Sequence, residues 1–115
     1  MIIKRKIIIG NLFSDSLFFE YDVKRDILLM CHDDCCDSIF KNLINEKNIP
    51  AAIAESSKTD FINLFINASK TKSEGKMFLD IINFGKPHKY FTKYASVYNR
   101  NKIITHVYAA CSESE

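Results

Sequence analysis

Hydrophobic and polar positions along the chain change period twice. Leu17-Phe18-Phe19-Glu20-Tyr21-Asp22-Val23 sets Phe19, Tyr21 and Val23 on one face of a strand, and Asp26-Ile27-Leu28-Leu29-Met30-Cys31 returns after the polar connection Lys24-Arg25. The two runs predict an antiparallel hairpin. From Asp37 the spacing turns helical, with Ile39, Phe40, Leu43 and Ile44 at i, i+1, i+4 and i+5 and Asp37 or Ser38 as the cap. A helix is expected to about Lys47, stopped by Asn48-Ile49-Pro50, with a short helical or irregular piece over residues 51–54. After the cap-rich residues 55–60, Phe61, Ile62, Leu64, Phe65 and Ala68 form a broad apolar stripe, the mark of a second amphipathic helix.

Beyond Gly75 strand formers dominate. Residues 77–84, 89–98 and 102–110 read as three strands, separated by Gly85-Lys86-Pro87-His88 and by Asn99-Arg100-Asn101, whose asparagines tolerate positive φ. Residues 2–12 place Ile2, Ile3, Ile7, Ile8 and Leu12 at the spacing of one helical stripe and fit a short helix or an extended lead-in. A lone hairpin is marginal in water, so the first two strands need the last three beside them. The expected architecture is α+β: one five-stranded antiparallel sheet, order 2-1-5-4-3, with helices packed on one face. The two ends of the chain then meet as neighbouring strands.

Composition narrows the function. At 115 residues and 47% apolar the chain fits one domain with its own core, spanning 1–115 with residues 1–14 as lead-in. A net charge of +2 with interspersed signs gives no basic stripe for nucleic acid. No apolar run approaches the ~20 residues that span a bilayer. The lysines and arginine after Met1-Ile2-Ile3 precede no uninterrupted apolar segment or small-residue cleavage site, so no signal peptide is expected and the location is read as cytoplasmic. Cysteines 31, 35, 36 and 111 are accordingly expected as thiols.

The phrase Asp15-Ser16-Leu17-Phe18-Phe19-Glu20-Tyr21-Asp22-Val23-Lys24-Arg25-Asp26 resembles the opening of PAS sensor domains, in particular the class found ahead of diguanylate cyclase (GGDEF) and histidine kinase modules. The likeness continues from Ile53 to Phe65, at the family's entry to its long helix, and through the strands between Met77 and Ala110. Departures are specific. Of the family's His-Pro-x-Asp phrase only Asp60 survives, Tyr90 or Phe91 stands where a Trp is usual, and Cys111-Ser112-Glu113-Ser114-Glu115 replaces the Asp-Ile-Thr that leads to an output domain. The resemblance implies a sensor domain from a larger signalling protein, working as a homodimer and controlling an output domain.

Candidate chemistry is sparse. Cys31-His32-Asp33-Asp34-Cys35-Cys36-Asp37 offers zinc donors, but the spacing matches no standard site and no second ligand pair follows, so a polar strand-to-helix connection is the expected reading and no metal is assigned. No His falls within residues 59–70, where haem-binding PAS domains place their axial ligand, and no Asn-Cys-Arg phrase of a flavin photoreceptor occurs. Haem and flavin are both disfavoured, and any cofactor is left unidentified. Gly10, Gly75 and Gly85 are isolated and build no phosphate loop. The remaining candidate is a ligand pocket between helices and sheet, lined by Phe19, Tyr21, Phe40, Ile44, Phe61, Phe65, Leu79, Ile81 and Tyr94. Ile2, Ile3, Ile7 and Ile8 would supply a dimer contact or cover the other sheet face. The expectation is a non-enzymatic sensor that binds a small molecule or a partner. Two alternatives stand beside it: a small enzyme with a cone-shaped pocket of the ketosteroid-isomerase kind, using Asp80 or Tyr94, and a ligand-free adaptor.

Overall fold

The computed structural model describes residues 17–32, 35–43 and 46–113. The lead-in with Ile2, Ile3, Ile7 and Ile8 lies outside the described residues, as does Ile44. Among the described residues, six strands and one α-helix follow in the order β1 (Leu17–Asp22), β2 (Ile27–His32), β3 (Cys35–Lys41), α1 (Lys58–Lys70), β4 (Glu74–Asn83), β5 (Lys86–Tyr98) and β6 (Ile104–Glu113). Single 3-10 turns stand at Glu46–Asn48 and Glu55–Ser57.

The strands form one antiparallel sheet in the order β3-β2-β1-β6-β5-β4, so the expected five strands in the order 2-1-5-4-3 are corrected to six. The extra strand is the segment expected to be helical. Residues 38–41 sit opposite β2, with Leu28 facing Phe40 and Leu29 facing Ile39 across the ladder. Ile39 is exposed while Phe40 packs against the core, which is a period of two rather than 3.6. Adjacent apolar residues satisfy both periods over so short a run, and β2 would otherwise present an unpaired edge. Asn42, at φ 58°, ends the strand, a conformation that asparagine tolerates.

The first and last strands do meet. β1 and β6 pair along their length, Phe19 opposite Ala109, Tyr21 opposite Val107, and Leu17 opposite Cys111. Asp26 locks the β1–β2 hairpin: Tyr21 donates its phenol to Asp26 Oδ1 at 2.5 Å, and the Leu43 amide reaches the same oxygen at 3.4 Å. Burial first, and then this bond to a carboxylate, hold the Tyr21 phenol above its ordinary range. The β4–β5 connection is tighter than the sequence suggests. Asn83 pairs with Lys86, leaving Phe84 and Gly85 as a two-residue turn with φ of 53° and 76°. Two positive φ values match the right-handed twist of the flanking strands. His88 therefore lies in β5 rather than in the turn. At the β5–β6 turn the positive φ of 62° falls on Lys102, while Asn99 Oδ1 accepts the Asn101 and Ile103 amides.

α1 lies across one face of the sheet with Phe61, Ile62, Leu64, Phe65 and Ala68 turned inward, the stripe read from the sequence. Its C-terminal end is tied to β5 by Ser96, whose Oγ donates to the Ala68 carbonyl at 2.6 Å and accepts the Ser73 amide at 3.1 Å. Before the helix, residues 52–54 run beside the β4 edge, where Ile53 bridges Ile81 and the Ile82 amide donates to the Ala52 carbonyl. On the opposite sheet face Phe18, Cys31 and Tyr108 form a smaller buried cluster. Cys31 is disulfide-bonded, which corrects the thiol reading at that position.

Candidate functional site

The nine expected pocket residues do not share one environment. Phe19, Phe61 and Phe65 are fully buried and pack edge to face, with ring centroids 5.0 to 6.3 Å apart. Tyr21 tilts against Phe65 at 5.8 Å, and Leu79 and Ile81 close the same cluster from β4. Each buried aromatic removes roughly 150–250 Å² from water, and each such ring pair adds about 0.5–1.5 kcal/mol beyond that area. These six side chains are brought together as core. Phe40 packs on the margin of that core and lines a separate crevice of about 360 Å³ with Ile39, Lys41, Asn42, Lys47, Asn48 and Ile49.

Tyr94 is placed differently, at a crevice of about 170 Å³ between one flank of α1 and the β4–β5 pair. The helix contributes Asp60, Asn63, Leu64, Asn67 and Ala68, residues spaced to share one flank. Eight steps of 1.5 Å from Asp60 to Ala68 make that flank roughly 12 Å long. Met77 from β4, Tyr94 from β5 and Ser73 from the connection form the other wall. Leu64 and Ala68 are buried and make an apolar floor, while Asp60, Asn63 and Asn67 stand at the solvent rim. Among the described residues, the side chains of Asp60, Asn63, Asn67 and Tyr94 have no hydrogen-bond or ion-pair partner.

The position of Tyr94 depends on Gly75. The two are partners across the β4–β5 ladder, and the phenol lies over the glycine: a Cβ at residue 75 would stand 2.7 Å from Tyr94 Oη and 2.9 Å from its Cζ. A glycine inside a strand marks a close approach, here that of an aromatic ring carried toward the crevice. The sequence signal for the other wall, polar residues at 60, 63 and 67, looks the same as any solvated helix flank. Only the register of β4 on β5 sets it beside Tyr94.

Groups suggested for enzyme chemistry sit elsewhere. Asp80 accepts a hydrogen bond from Ser56 Oγ at 2.9 Å, and its own amide donates to the buried Ser57 Oγ at 2.8 Å. It fastens the 3-10 turn to β4 and does not line the crevice. His88 meets Glu113 at 2.9 Å, and His106 lies 3.8 Å from Asp22 and stacks on Tyr108. The Cys111 thiol is fully buried, accepts a hydrogen bond from Thr92 at 3.3 Å, and is pushed up to about 12 by burial. Among the described residues no three His, Cys, Asp or Glu side chains converge as metal ligands, and no helix is long and apolar enough to cross a membrane.

No family model matches the sequence, and no curated protein matches it. The fold is similar to that of a solved structure, a sensory box histidine kinase/response regulator from Burkholderia thailandensis. The TM-score is 0.50 at 6% identity, over 94% of this chain and 83% of that one. At such identity the likeness is one of fold alone: among the described residues, an α+β arrangement of one antiparallel sheet carrying a helix on one face.

Proposed function

We propose that the chain is a PAS-type sensory module, non-catalytic, which binds a small molecule in the crevice between α1 and the β4–β5 pair and controls an output domain such as a diguanylate cyclase or a kinase. The observation that carries this reading is the pairing of β1 with β6, which sets Leu17 opposite Cys111. Chain entering at residue 17 and chain leaving after residue 111 thus do so at one end of the sheet. A change in sheet packing there reaches both sides of the domain at once.

The crevice supplies a place for the input. α1 is held to β5 through Ser96 and to the sheet through the Phe19–Phe61–Phe65 cluster. A ligand wedged along the helix flank favours whichever tilt of α1 it fits better. It can shift that balance only by the difference between its affinities for the two tilts. In this reading the domain spans 1–115, belongs to a larger signalling protein, and dimerises through Ile2, Ile3, Ile7 and Ile8. Of the two groups the enzyme alternative would use, Asp80 is committed to the 3-10 turn, which weakens that alternative.

Mapping of backbone amide shifts by NMR during titration with a mixture of small metabolites tests this. The sensory reading expects saturable shifts at residues 60–68, 75 and 94, and correlated shifts in β1 and β6. Shifts confined to the crevice, with β1 and β6 unmoved, would refute the signalling step. The filled interior favours a second reading, a ligand-free adaptor, for which no metabolite moves any of these amides.

A further inference from the structure

We propose that the α1–β4–β5 crevice is an ammonium site, taking a small organic amine whose apolar body is about the size of one ring. The assignment rests on the sensory reading above and adds the chemical class of the ligand.

Three features of the lining carry it. The first is size: about 170 Å³ is close to the roughly 150 Å³ of a cavity that accepts benzene, so one ring or a short branched chain fits and a nucleotide or flavin does not. The second is charge. Among the described residues of the lining Asp60 is the one carboxylate and no Lys, Arg or His accompanies it, so an anion would meet a repulsion that no cationic side chain there offsets. The third is the match of donors to acceptors. An ammonium has three N–H donors and no acceptor. Asp60, Asn63, Asn67 and Tyr94 offer side-chain oxygens whose bonding capacity the described residues leave unused. Leu64, Ala68 and Met77 provide apolar surface for the rest of the molecule.

Selectivity follows from Asp60. Ammonium and hydroxyl can both donate to the carboxylate, but only the ammonium adds the attraction of a full opposite charge, which is screened at a solvent rim. The preference for an amine over its neutral isostere is therefore about three- to tenfold, and it shrinks with added salt.

The test uses the full chain and three molecules of one shape: benzylamine, benzyl alcohol and benzoate. Amide shifts of Asn63, Asn67 and Gly75 are followed by NMR at low and at 0.5 M salt. The expected order is benzylamine first, benzyl alcohol about three- to tenfold weaker, and benzoate without saturable shifts. Asp60→Asn is expected to weaken benzylamine more than benzyl alcohol, so that the two bind about alike, an outcome that a merely damaged fold would not give. Equal binding of amine and alcohol, or stronger binding of benzoate, overturns the ammonium assignment and leaves the crevice as a ligand site. If none of the three moves these amides, the assignment and the crevice as input site fail together.

Discussion

Replacing Gly75 by alanine offers a sharp test of the close approach on which the crevice wall depends. In a strand where nothing crowds the new methyl group, Gly→Ala gains about 0.5–1 kcal/mol, chiefly by restricting the unfolded chain. Here the methyl carbon would stand 2.7 Å from Tyr94 Oη, 2.9 Å from Cζ and 3.2 Å from Cε1. The ring must move, and overpacking of this kind costs about 1–3 kcal/mol. Because the displaced atoms form the tip of a half-buried side chain, the cost belongs near the lower end. The net expectation is a loss of about 1 kcal/mol, a fall in Tm of roughly 4–6 °C for a domain of this size. Tyr94→Ala removes the obstacle, so in that background Gly75→Ala is expected to stabilise by about 0.5 kcal/mol. A double-mutant cycle by urea denaturation should then show a coupling of about 1–2 kcal/mol with a change of sign between backgrounds. The same effect of Gly75→Ala with and without the tyrosine would refute the reasoning.

Other consequences of the structure can be measured alongside. Phe65→Ala, at the centre of the ring cluster, should cost about 3–5 kcal/mol in urea denaturation. Ser96→Ala strands the Ala68 carbonyl and the Ser73 amide and should cost about 1–3 kcal/mol, with faster amide exchange over the last turn of α1. Stability should fall as pH rises from 9 toward about 12, because the unfolded Cys111 thiol ionises near 9.0 while the folded one keeps its proton to about 12. In that window the unfolded state binds fewer protons, and the slope approaches about 1.4 kcal/mol per pH unit for this one group. Cys111→Ala should make the slope shallower, leaving the part due to the Tyr21 and Tyr90 phenols, which burial also raises, and an unchanged slope would count against the buried thiol as a source.

Much of the architecture was legible from side-chain periodicity, and the failures have local causes. The helix over residues 58–70 showed a stripe of five apolar residues across three turns, too long to be mistaken for a strand. Phe19 and Tyr21 read correctly as one face of β1. Ile39 and Phe40 misled because two adjacent apolar residues fit a helix or a strand equally well. What decided between them was the edge of β2, which lies in the tertiary structure rather than in the segment. Pro87 and His88 look like turn residues in the sequence, yet Phe84 and Gly85 carry the positive φ angles of the β4–β5 turn. The crevice was hidden for a related reason. The sequence points to Tyr94, but Asp60, Asn63 and Asn67 resemble an ordinary wetted helix flank until the strand register brings them opposite it.

The long-range β1–β6 ladder also governs when the protein can form. Phe19 and Ala109 are made far apart in time on the ribosome, and the closing of a loop of that length is slow compared with helix or hairpin formation. The β4–β5 hairpin and α1 can assemble as soon as they emerge, whereas the N-terminal hairpin must wait with an unsatisfied edge until the last strand has left the exit tunnel. During that interval it is open to pairing with a neighbouring nascent chain, and chaperone demand during synthesis should concentrate there.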